Sequence, residues 1–273
     1  LPDSRVRLLR WSALITSLIP FILSMVLWFK FDSSQTGFQF EEQFGWYEAI
    51  NSTFHIGVDG ISLTLVILTT LLMPLAILAS FNITEKVKAY MMLFLFLETG
   101  MLGVFLSLDL LIFFVFWEIG LVPMYFLIAQ WGGKKRNYAS LKFILYTMVG
   151  SLGLLLAIQM IGVVSGTYDL PVLFERWPGL TQSSLFGIPI ETVKAIAFWA
   201  FVVAFAVKVP VWPFHTWLPD AHTEAPTAGS MVLAGVLLKL GAYGFLRLVL
   251  PLYPQESHTY AGALAVLATL AIV

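Results

Sequence analysis

The chain has 273 residues, of which 59% are hydrophobic and only 11% are charged, and its mean hydropathy is +0.88. This composition is typical of a polytopic membrane protein and excludes an ordinary soluble domain. The formal net charge of −1 leaves no dominant basic surface, so we expect no nucleic-acid partner. Because the chain has no cysteine, it can form no disulfide and no thiolate site for iron–sulfur clusters or zinc, and we expect no cofactor on it.

Eight apolar stretches are long enough to cross a hydrocarbon core of about 30 Å, so the sequence predicts an all-α, polytopic transmembrane bundle. They cover residues 11–29, 60–81, 89–107, 110–131, 140–164, 193–218, 226–250 and 259 onward. We expect the third and fourth spans to form a tight hairpin that carries Glu98 and Glu118, because Asp109 is the only charged residue near their turn. The two long connections, 30–59 and 165–192, are expected on the same side of the membrane.

The distribution of lysines and arginines near the span ends predicts the orientation of the bundle. Those on the N-terminal side are Arg5, Arg7, Arg10, Lys86, Lys88, Lys134, Lys135, Arg136 and Lys142. Those on the opposite side are Lys30, Arg176, Lys194 and Arg247. The excess on the N-terminal side predicts that this side faces the cytoplasm or an equivalent compartment.

Ionisable residues inside the predicted spans are the strongest functional signal in the sequence. They are Glu98, Glu118, Lys208 and Lys239. Each costs about 2.5–3.5 kcal/mol at the centre of an inserted helix, so we interpret them as parts of an ion or proton path. The alternative is a static buried salt bridge that holds helices together, and Glu98 could instead make a hydrogen-bonded helix contact. Glu118 lies among Phe and Trp residues, which disfavour a charged carboxylate unless a cation is close, and Lys208 is the candidate partner.

The sixth span is expected to break beside Lys208. Pro210 and Pro213 each remove a backbone donor, and each ring clashes with the carbonyl four residues earlier. Helices interrupted at membrane depth line wet cavities and build ion sites in transporters. Ala197 and Ala204 precede Lys208 on its helical face, and small residues let another helix approach closely, so we expect this face inside the bundle.

Lys239 is expected to point into the bundle for the same reason. It shares a helical face with Ala228, Gly235 and Ala242, which would allow a second helix to pack against it. The lysine is also far from both ends of its span, so its ammonium group cannot easily reach the headgroups.

The connection after the break is rich in polar residues. They are His215, Asp220, His222 and Glu224. We interpret it as a proton-exchanging mouth, with His215 and His222 as possible members of the path, because histidine titrates near physiological pH. No pair has the spacing of a known metal signature, so we expect no metal site. Asp59 is predicted to cap the second span, and His55 and His258 are interpreted as loop residues.

Several segments together resemble the antiporter-like membrane subunits of respiratory complex I. The most specific resemblance lies in residues 208–210, 215–230 and 237–239, which contain both buried lysines and the polar connection. Residues 57–63, the pair Trp117-Glu118 with Pro123, and residues 142–147 also match the family. The resemblance covers nearly the whole chain.

The resemblance implies an antiporter-like fold with two inverted five-helix repeats, each containing a broken helix. Residues 1–87 would hold the N-terminal helices and an outer loop, and residues 88–250 would form the first repeat. Residues 251–273 would begin the second repeat, and one further helix is expected before Leu1.

The resemblance also implies a proton-translocating subunit with no redox centre of its own, in an energy-coupling membrane such as the bacterial plasma membrane. Its partners would be the other membrane subunits of the complex, the lipid bilayer and protons. The family's conducting residues map onto Glu118, Lys208 and Lys239, and a further charged residue is expected beyond Val273. In this mechanism Lys208 holds its proton while Glu118 is close and passes it toward Lys239 when the glutamate is withdrawn or neutralised, driven by quinone reduction elsewhere.

Two other functions stay open at this point. A subunit of a multisubunit Na⁺/H⁺ antiporter or of a membrane-bound hydrogenase would share the fold and the buried lysines, although residues 224–230 and the Leu-Leu-Lys run at Lys239 favour complex I. A membrane scaffold that conducts nothing is the other alternative. In a scaffold, neutral substitutions at Glu118 and Lys208 would leave pumping unchanged.

Overall fold

The computed structural model describes residues 5–181 and 183–272. Residues 1–4 of the predicted N-terminal part (1–87), residue 182 of the predicted first repeat (88–250) and residue 273 of the predicted start of the second repeat (251–273) lie outside it. Seven helical segments in this part of the chain are long and apolar enough to cross a membrane. They are Val6–Lys30, Gly60–Ala79, Val87–Leu106, Leu110–Trp131, Arg136–Ser165, Ile190–Lys208 and Thr227–Leu252. The prediction of an all-α transmembrane bundle is confirmed, and the protein is a multi-pass integral membrane protein.

The elements follow one another in a simple order. The first are α1 (Val6–Lys30), β1 (Gln39–Tyr47), β2 (Ser52–Val58), α2 (Gly60–Ala79), α3 (Val87–Leu106), α4 (Leu110–Ile119), α5 (Leu121–Trp131), α6 (Arg136–Ser165) and α7 (Leu170–Arg176). The rest are β3 (Ser184–Leu185), β4 (Ile188–Pro189), α8 (Ile190–Lys208), α9 (Trp217–Glu224), α10 (Thr227–Val232), α11 (Leu238–Gly244), α12 (Leu250–Leu252), α13 (Pro254–Thr259) and α14 (Ala261–Ile272). Two π-helical turns, Leu233–Leu237 and Phe245–Val249, keep α10, α11 and α12 in one continuous span.

The sixth predicted span, 193–218, was too long, because α8 ends at Lys208. Pro210 has no N–H for the carbonyl of Ala206, and the next residue, Val211, donates to that carbonyl instead at 2.8 Å. The carbonyl of Val207 then accepts from Trp217 Nε1 at 2.9 Å. The break is therefore stabilised by replacement hydrogen bonds, and the chain resumes as the separate helix α9. The predicted stretch from 259 onward contains α14, which has 12 residues.

Both long connections lie at one end of the bundle, as predicted. The antiparallel hairpin of β1 and β2 pairs Phe44 with Phe54 and covers the turn between α3 and α4. In that turn, the backbone N–H of Leu108 donates to the carbonyl of His55 at 2.8 Å, and the N–H of Leu110 donates to the carbonyl of Tyr168 at 2.9 Å. We call this the hairpin end.

Asp109 joins the hairpin to the helices. Its carboxylate is fully buried and accepts from Ser52 Oγ at 3.1 Å and from the backbone N–H of Thr53 at 3.1 Å. It also caps α4 through the N–H groups of Leu111 and Ile112, at 2.8 and 3.2 Å. Burial raises the pKa of Asp109 above its ordinary value, although these hydrogen bonds act in the opposite direction.

The interpretation of His55 and His258 as loop residues was wrong. His55 lies in β2 and is buried, with Nδ1 2.7 Å from Asp169 and Nε2 3.1 Å from Glu41. His258 lies in the short helix α13. A lone histidine carries no strand signal of its own, and the contact of His55 with Asp169 joins residues that are far apart in the sequence.

Asp59 caps α2 as predicted, and it has a second role that the sequence did not indicate. Its carboxylate accepts from the N–H of Ser62 at 2.9 Å and forms an ion pair with Arg247 in the second π-helical turn. Burial opposes ionisation of Asp59, but the Arg247 guanidinium and the Ser62 contacts outweigh it and hold the pKa of this carboxyl below its ordinary value.

The opposite end of the bundle carries the basic residues that the sequence placed together, and we call it the basic end. Arg10 donates to the carbonyl of Ile83 at 2.7 Å, and Trp131 Nε1 donates to the carbonyl of Glu85 at 2.9 Å. These contacts bring the start of α1, the α2–α3 turn and the end of α5 to the same level. The N–H of Gly133 donates to the carbonyl at the end of α9, which brings this helix to the basic end as well.

Replacing Asp109 by Ala is expected to lower the thermal denaturation midpoint of the protein in its native assembly. The change leaves several buried donors without an acceptor, and each such donor costs about 1–3 kcal/mol. Asp32→Ala is the matched control, because the Asp32 side chain is exposed and its hydrogen bonds to Ser34 join neighbours in the same exposed loop. Equal midpoints for the two variants would show that Asp109 does not hold the hairpin end together.

Candidate functional site

Lys208 lies at the last position of α8, just before the break, and its side chain is only 2% exposed. Its Nζ is 4.9 Å from the centre of the Trp117 ring, which provides a cation–π contact. Within the described residues, Nζ has no hydrogen-bond partner. Burying a charged ammonium group without such partners costs free energy, so the charge on this amine depends strongly on neighbouring charges.

Glu118 lies in the last turn of α4, next to the Trp117 ring that contacts Lys208. The two charged groups are close enough for a Coulombic interaction, although the ion pairs found in the described part of the chain do not join them directly. Glu118 Oε1 is buried and makes no hydrogen bond to any described residue. Trp117 Nε1 donates to Ser151 Oγ at 3.1 Å, and this bond fixes the ring that Lys208 contacts.

A close helix crossing positions both predicted glutamates. A Cβ atom on Gly100 of α3 would lie only 2.8 Å from the backbone nitrogen of Gly120, the residue that separates α4 from α5. Only glycine permits this approach. Two residues before the crossing, Glu98 is 3% exposed, and its Oε1 also has no partner among the described residues. The predicted hairpin of the third and fourth spans is confirmed.

The face of α8 that carries Lys208 packs against small residues, as the sequence predicted. A Cβ on Gly150 of α6 would lie 3.4 Å from Val207 and 3.5 Å from the Cα of Ala204. On the other side, a Cβ on Gly241 of α11 would lie 2.9 Å from the carbonyl oxygen of Phe205 and 3.0 Å from Lys208 Cβ. Two helices therefore approach the end of α8 at backbone distance.

The prediction that Lys239 points into the bundle was wrong for the described residues. Its side chain is exposed, and Nζ donates to the carbonyl of Ala234 at 2.9 Å. The π-helical turn Leu233–Leu237 lies between Lys239 and Ala228, so the regular helical repeat that the prediction assumed is interrupted there. Ala242, which was expected on the buried face, is exposed too. Lys239 thus lies at an open edge of the bundle, on the same helix as the Gly241 contact to α8.

The segment after the break contains His215, which is half-buried. Its Nδ1 is buried and has no hydrogen-bond partner in the described part of the chain. The next residue, Thr216, donates to Tyr146 OH at 2.7 Å and ties the segment to α6. This contact holds His215 between the end of α8 and the start of α9.

The remaining polar residues of the connection are engaged in contacts at the basic end. Asp220 pairs with Lys142 at 2.7 Å, and Glu224 Oε2 accepts from the N–H of Lys135 at 2.8 Å. His222 Nδ1 lies 2.6 Å from Ser230 Oγ, and burial lowers the pKa of His222 below its ordinary value. Among the described residues, no three His, Asp or Glu side chains converge on a point that could hold a metal ion.

Four of the six candidate residues share one property. Glu98, Glu118, Lys208 and His215 each have a buried polar atom without a hydrogen-bond partner in the described part of the chain. Buried polar atoms in proteins are normally paired with protein groups or ordered water. Groups that are not fixed by protein partners can gain or lose a proton without breaking a structural hydrogen bond, so this arrangement is suited to proton transfer.

Sequence analysis did not identify the uncharged residues that position the site. Ser151 and Tyr146 on α6 hold Trp117 and Thr216; Tyr146 lies in the segment 142–147 that resembles the family, whereas Ser151 lies in none of the matching segments. The only available signal for Ser151 was its position between two glycines, Gly150 and Gly153, on a helix that had to approach α8 closely.

Two protein families match the chain. The family described as NADH:quinone oxidoreductase/Mrp antiporter, transmembrane, matches residues 107–273, and the family described as NADH-ubiquinone oxidoreductase chain 4, amino terminus, matches residues 5–109. Subunit M of NADH-quinone oxidoreductase from Rhodobacter capsulatus is 45% identical over 270 residues, which cover 97% of this chain and 52% of that protein. Chain 4 of NADH-ubiquinone oxidoreductase from Arabidopsis thaliana is 45% identical over 275 residues, which cover 100% of this chain and 53% of that protein. The chain spans about half the length of the curated relatives it matches.

Solved structures share the fold. A chain of respiratory complex I from Thermus thermophilus with bound NADH superposes with a TM-score of 0.82 at 28% identity, covering 98% of this chain and 55% of that chain. A chain of the Mrp complex from Dietzia superposes with a TM-score of 0.75 at 23% identity, covering 92% of this chain and 27% of that chain, which shows a common fold alone.

Replacing Gly241 by Ala is expected to destabilise the protein, because the added Cβ meets backbone as well as side-chain atoms at the end of α8. Overpacking of this kind costs about 1–3 kcal/mol. The thermal denaturation midpoint of the native assembly measures the effect, and Gly262→Ala is the control, since a Cβ there meets nothing within 4 Å. An unchanged midpoint for Gly241→Ala would mean that α11 does not press against α8.

Proposed function

This chain belongs to the NADH:quinone oxidoreductase/Mrp antiporter transmembrane family, and on that premise we propose that it is a proton-translocating membrane subunit of a NADH:quinone oxidoreductase, complex I. The observation that carries the proposal is the buried Lys208 amine at the break of α8, which has no hydrogen-bond partner among the described residues and interacts electrostatically with Glu118. In this proposal the chain contributes no redox centre, and quinone reduction in other subunits supplies the energy.

The proposed path enters from the basic end. Protons exchange with solvent at the polar connection, where His215 and His222 are available, and reach Lys208 beside the break. From there they pass toward Lys239, whose helix touches α8 at Gly241. Glu98 belongs to the same proposal as a second buried carboxyl group, positioned by the crossing at Gly100.

Glu118 has the role of a modulator in this path. A negative carboxylate near Lys208 stabilises its ammonium form, and removal or neutralisation of that charge leaves the ammonium without compensation in an apolar site. Moving one charge across 100 mV costs about 2.3 kcal/mol, and one pKa unit corresponds to about 1.36 kcal/mol, so the proton affinity must change by at least ~1.7 pKa units per cycle. A single close carboxylate in a protein interior can supply a change of this size.

The partners and location follow from the same proposal. The chain would assemble with the other membrane subunits of complex I in an energy-coupling membrane, such as the bacterial plasma membrane, and would contact lipid on its outer faces. The division into an N-terminal part (1–87), a first repeat (88–250) and the start of a second repeat (251–273) also stays a prediction.

Glu118→Gln is expected to leave the complex assembled and to lower proton uptake coupled to quinone reduction at least ~10-fold, because loss of about 1.4 kcal/mol in the transfer step corresponds to a factor of ten. Glu118→Asp keeps the charge and should retain more activity than Gln. The control is Glu191→Gln on the exposed first turn of α8, which should pump normally. Equal losses for Asp and Gln would indicate a packing role for Glu118.

Lys208→Met should also assemble but lose proton uptake and the quinone reduction coupled to it, because the side chain keeps its length and loses its proton. Lys208→Arg should fail as well, since a guanidinium group does not release its proton at any accessible pH.

Lys194 on the same helix is the matched control for these variants. It is also buried, but its Nζ is held by the carbonyls of Pro178 and Leu180 at 2.9 and 2.8 Å, so Lys194→Arg should pump nearly as well as the wild type. Normal pumping by an assembled Lys208→Arg complex would reject the relay and favour a static ion pair.

A further inference from the structure

An apolar groove on the outer surface of the bundle has no part in the proposed proton path. It encloses about 730 Å³ between α3 and α5 and is lined almost entirely by apolar side chains, among which Met92, Phe96 and Phe126 are exposed. On α3 the groove extends from Ala89 to Thr99.

At the basic end, this groove adjoins two further pockets of about 430 and 390 Å³, both lined by Lys86; the first is of mixed polarity and the second is mainly polar. Ala89 and Met92 line both the groove and the first pocket, which also contains Lys88. Gln130 and Trp131 line both the groove and the second pocket, which also contains Arg136 and one carboxylate, Glu85. The three cavities therefore form one continuous site with an apolar floor and a predominantly cationic mouth.

We propose that this site binds an anionic glycerophospholipid, with its phosphate group at Lys86 and Arg136 and one acyl chain along α3. Lys86 donates to Gln130 Oε1 at 2.8 Å, which uses one of its three ammonium hydrogens and leaves two for a phosphate oxygen. Arg136 donates to the Gln130 carbonyl at 2.8 Å through one of its several N–H groups.

The dimensions of the groove match one leaflet of a bilayer. The ten-residue step from Ala89 to Thr99 on α3 corresponds to about 15 Å of helix. This is half of a hydrocarbon core of about 30 Å, the depth that an acyl chain occupies below a headgroup at the basic end. A neutral lipid would fill the same groove, but only an anionic headgroup complements the cations at its mouth. The proposal does not depend on proton translocation.

The test uses the complete complex in phosphatidylcholine vesicles, doped with a photoactivatable acyl-chain analogue of either phosphatidylglycerol or phosphatidylcholine. Labelled peptides are identified by mass spectrometry. Residues 89–99 should be labelled by the phosphatidylglycerol analogue in preference to the phosphatidylcholine analogue. Lys86→Gln should lower that labelling about fivefold, the factor that corresponds to about 1 kcal/mol for one lysine near an anionic lipid.

Lys134→Gln is the matched control, because Lys134 lies at the basic end but lines a different cavity, and it should not change the labelling. Lys86→Arg keeps the positive charge and should be labelled as strongly as the wild type. Thr99→Phe, at the deep end, should displace the acyl chain without touching the charged mouth, and it serves as the second variant if Lys86→Gln fails to assemble. Equal labelling by the two analogues, full labelling in Lys86→Gln, or protection of residues 89–99 by a crosslinkable protein subunit would each overturn the proposal.

Discussion

The enclosure of one ionisable amine at the interrupted end of α8 is the constraint on which the rest of the bundle depends. Lys208 has no described hydrogen-bond partner, and its surroundings are the Trp117 ring and the closely packed helices α6 and α11. An apolar enclosure of this kind makes the protonation of the amine sensitive to a single neighbouring carboxylate. The burial of Lys208, which costs folding free energy, therefore also makes the protonation of its amine depend on the charge of Glu118.

The break itself is local and well compensated. Pro210 cannot donate to Ala206, and the two replacement bonds from Val211 and from Trp217 Nε1 satisfy the carbonyls that a regular helix would have used. The helical hydrogen-bond pattern of α8 therefore ends at Lys208, which places this lysine at a helix end that is still inside the bundle. The segment that follows is held by Thr216 on Tyr146 and is thus available as a polar connection to the basic end.

Charge and proline placement made most of this architecture predictable. Intramembrane Glu118 and Lys208, the proline pair after Lys208 and the alanines on its face predicted a broken helix with a buried charge, and the structure agrees. The prediction for Lys239 failed because its side chain is exposed in the described part of the chain, and no residue in Leu233–Leu237 marks the π-helical turn that interrupts its helix. The contacts of His55 with Asp169 and of Asp59 with Arg247 could not be predicted either, since they join positions more than a hundred residues apart.

A double-mutant cycle at Glu118 and Lys208 tests the central claim most directly. The thermal denaturation midpoint of the assembled complex is measured for the wild type, Glu118→Gln, Lys208→Met and the double variant. If the two charges compensate each other, each single change leaves a buried charge unbalanced, and the double variant should recover stability with a coupling free energy of about 0.5–3 kcal/mol. Losses that add within about 0.5 kcal/mol would show that the two groups do not interact, which would contradict the account.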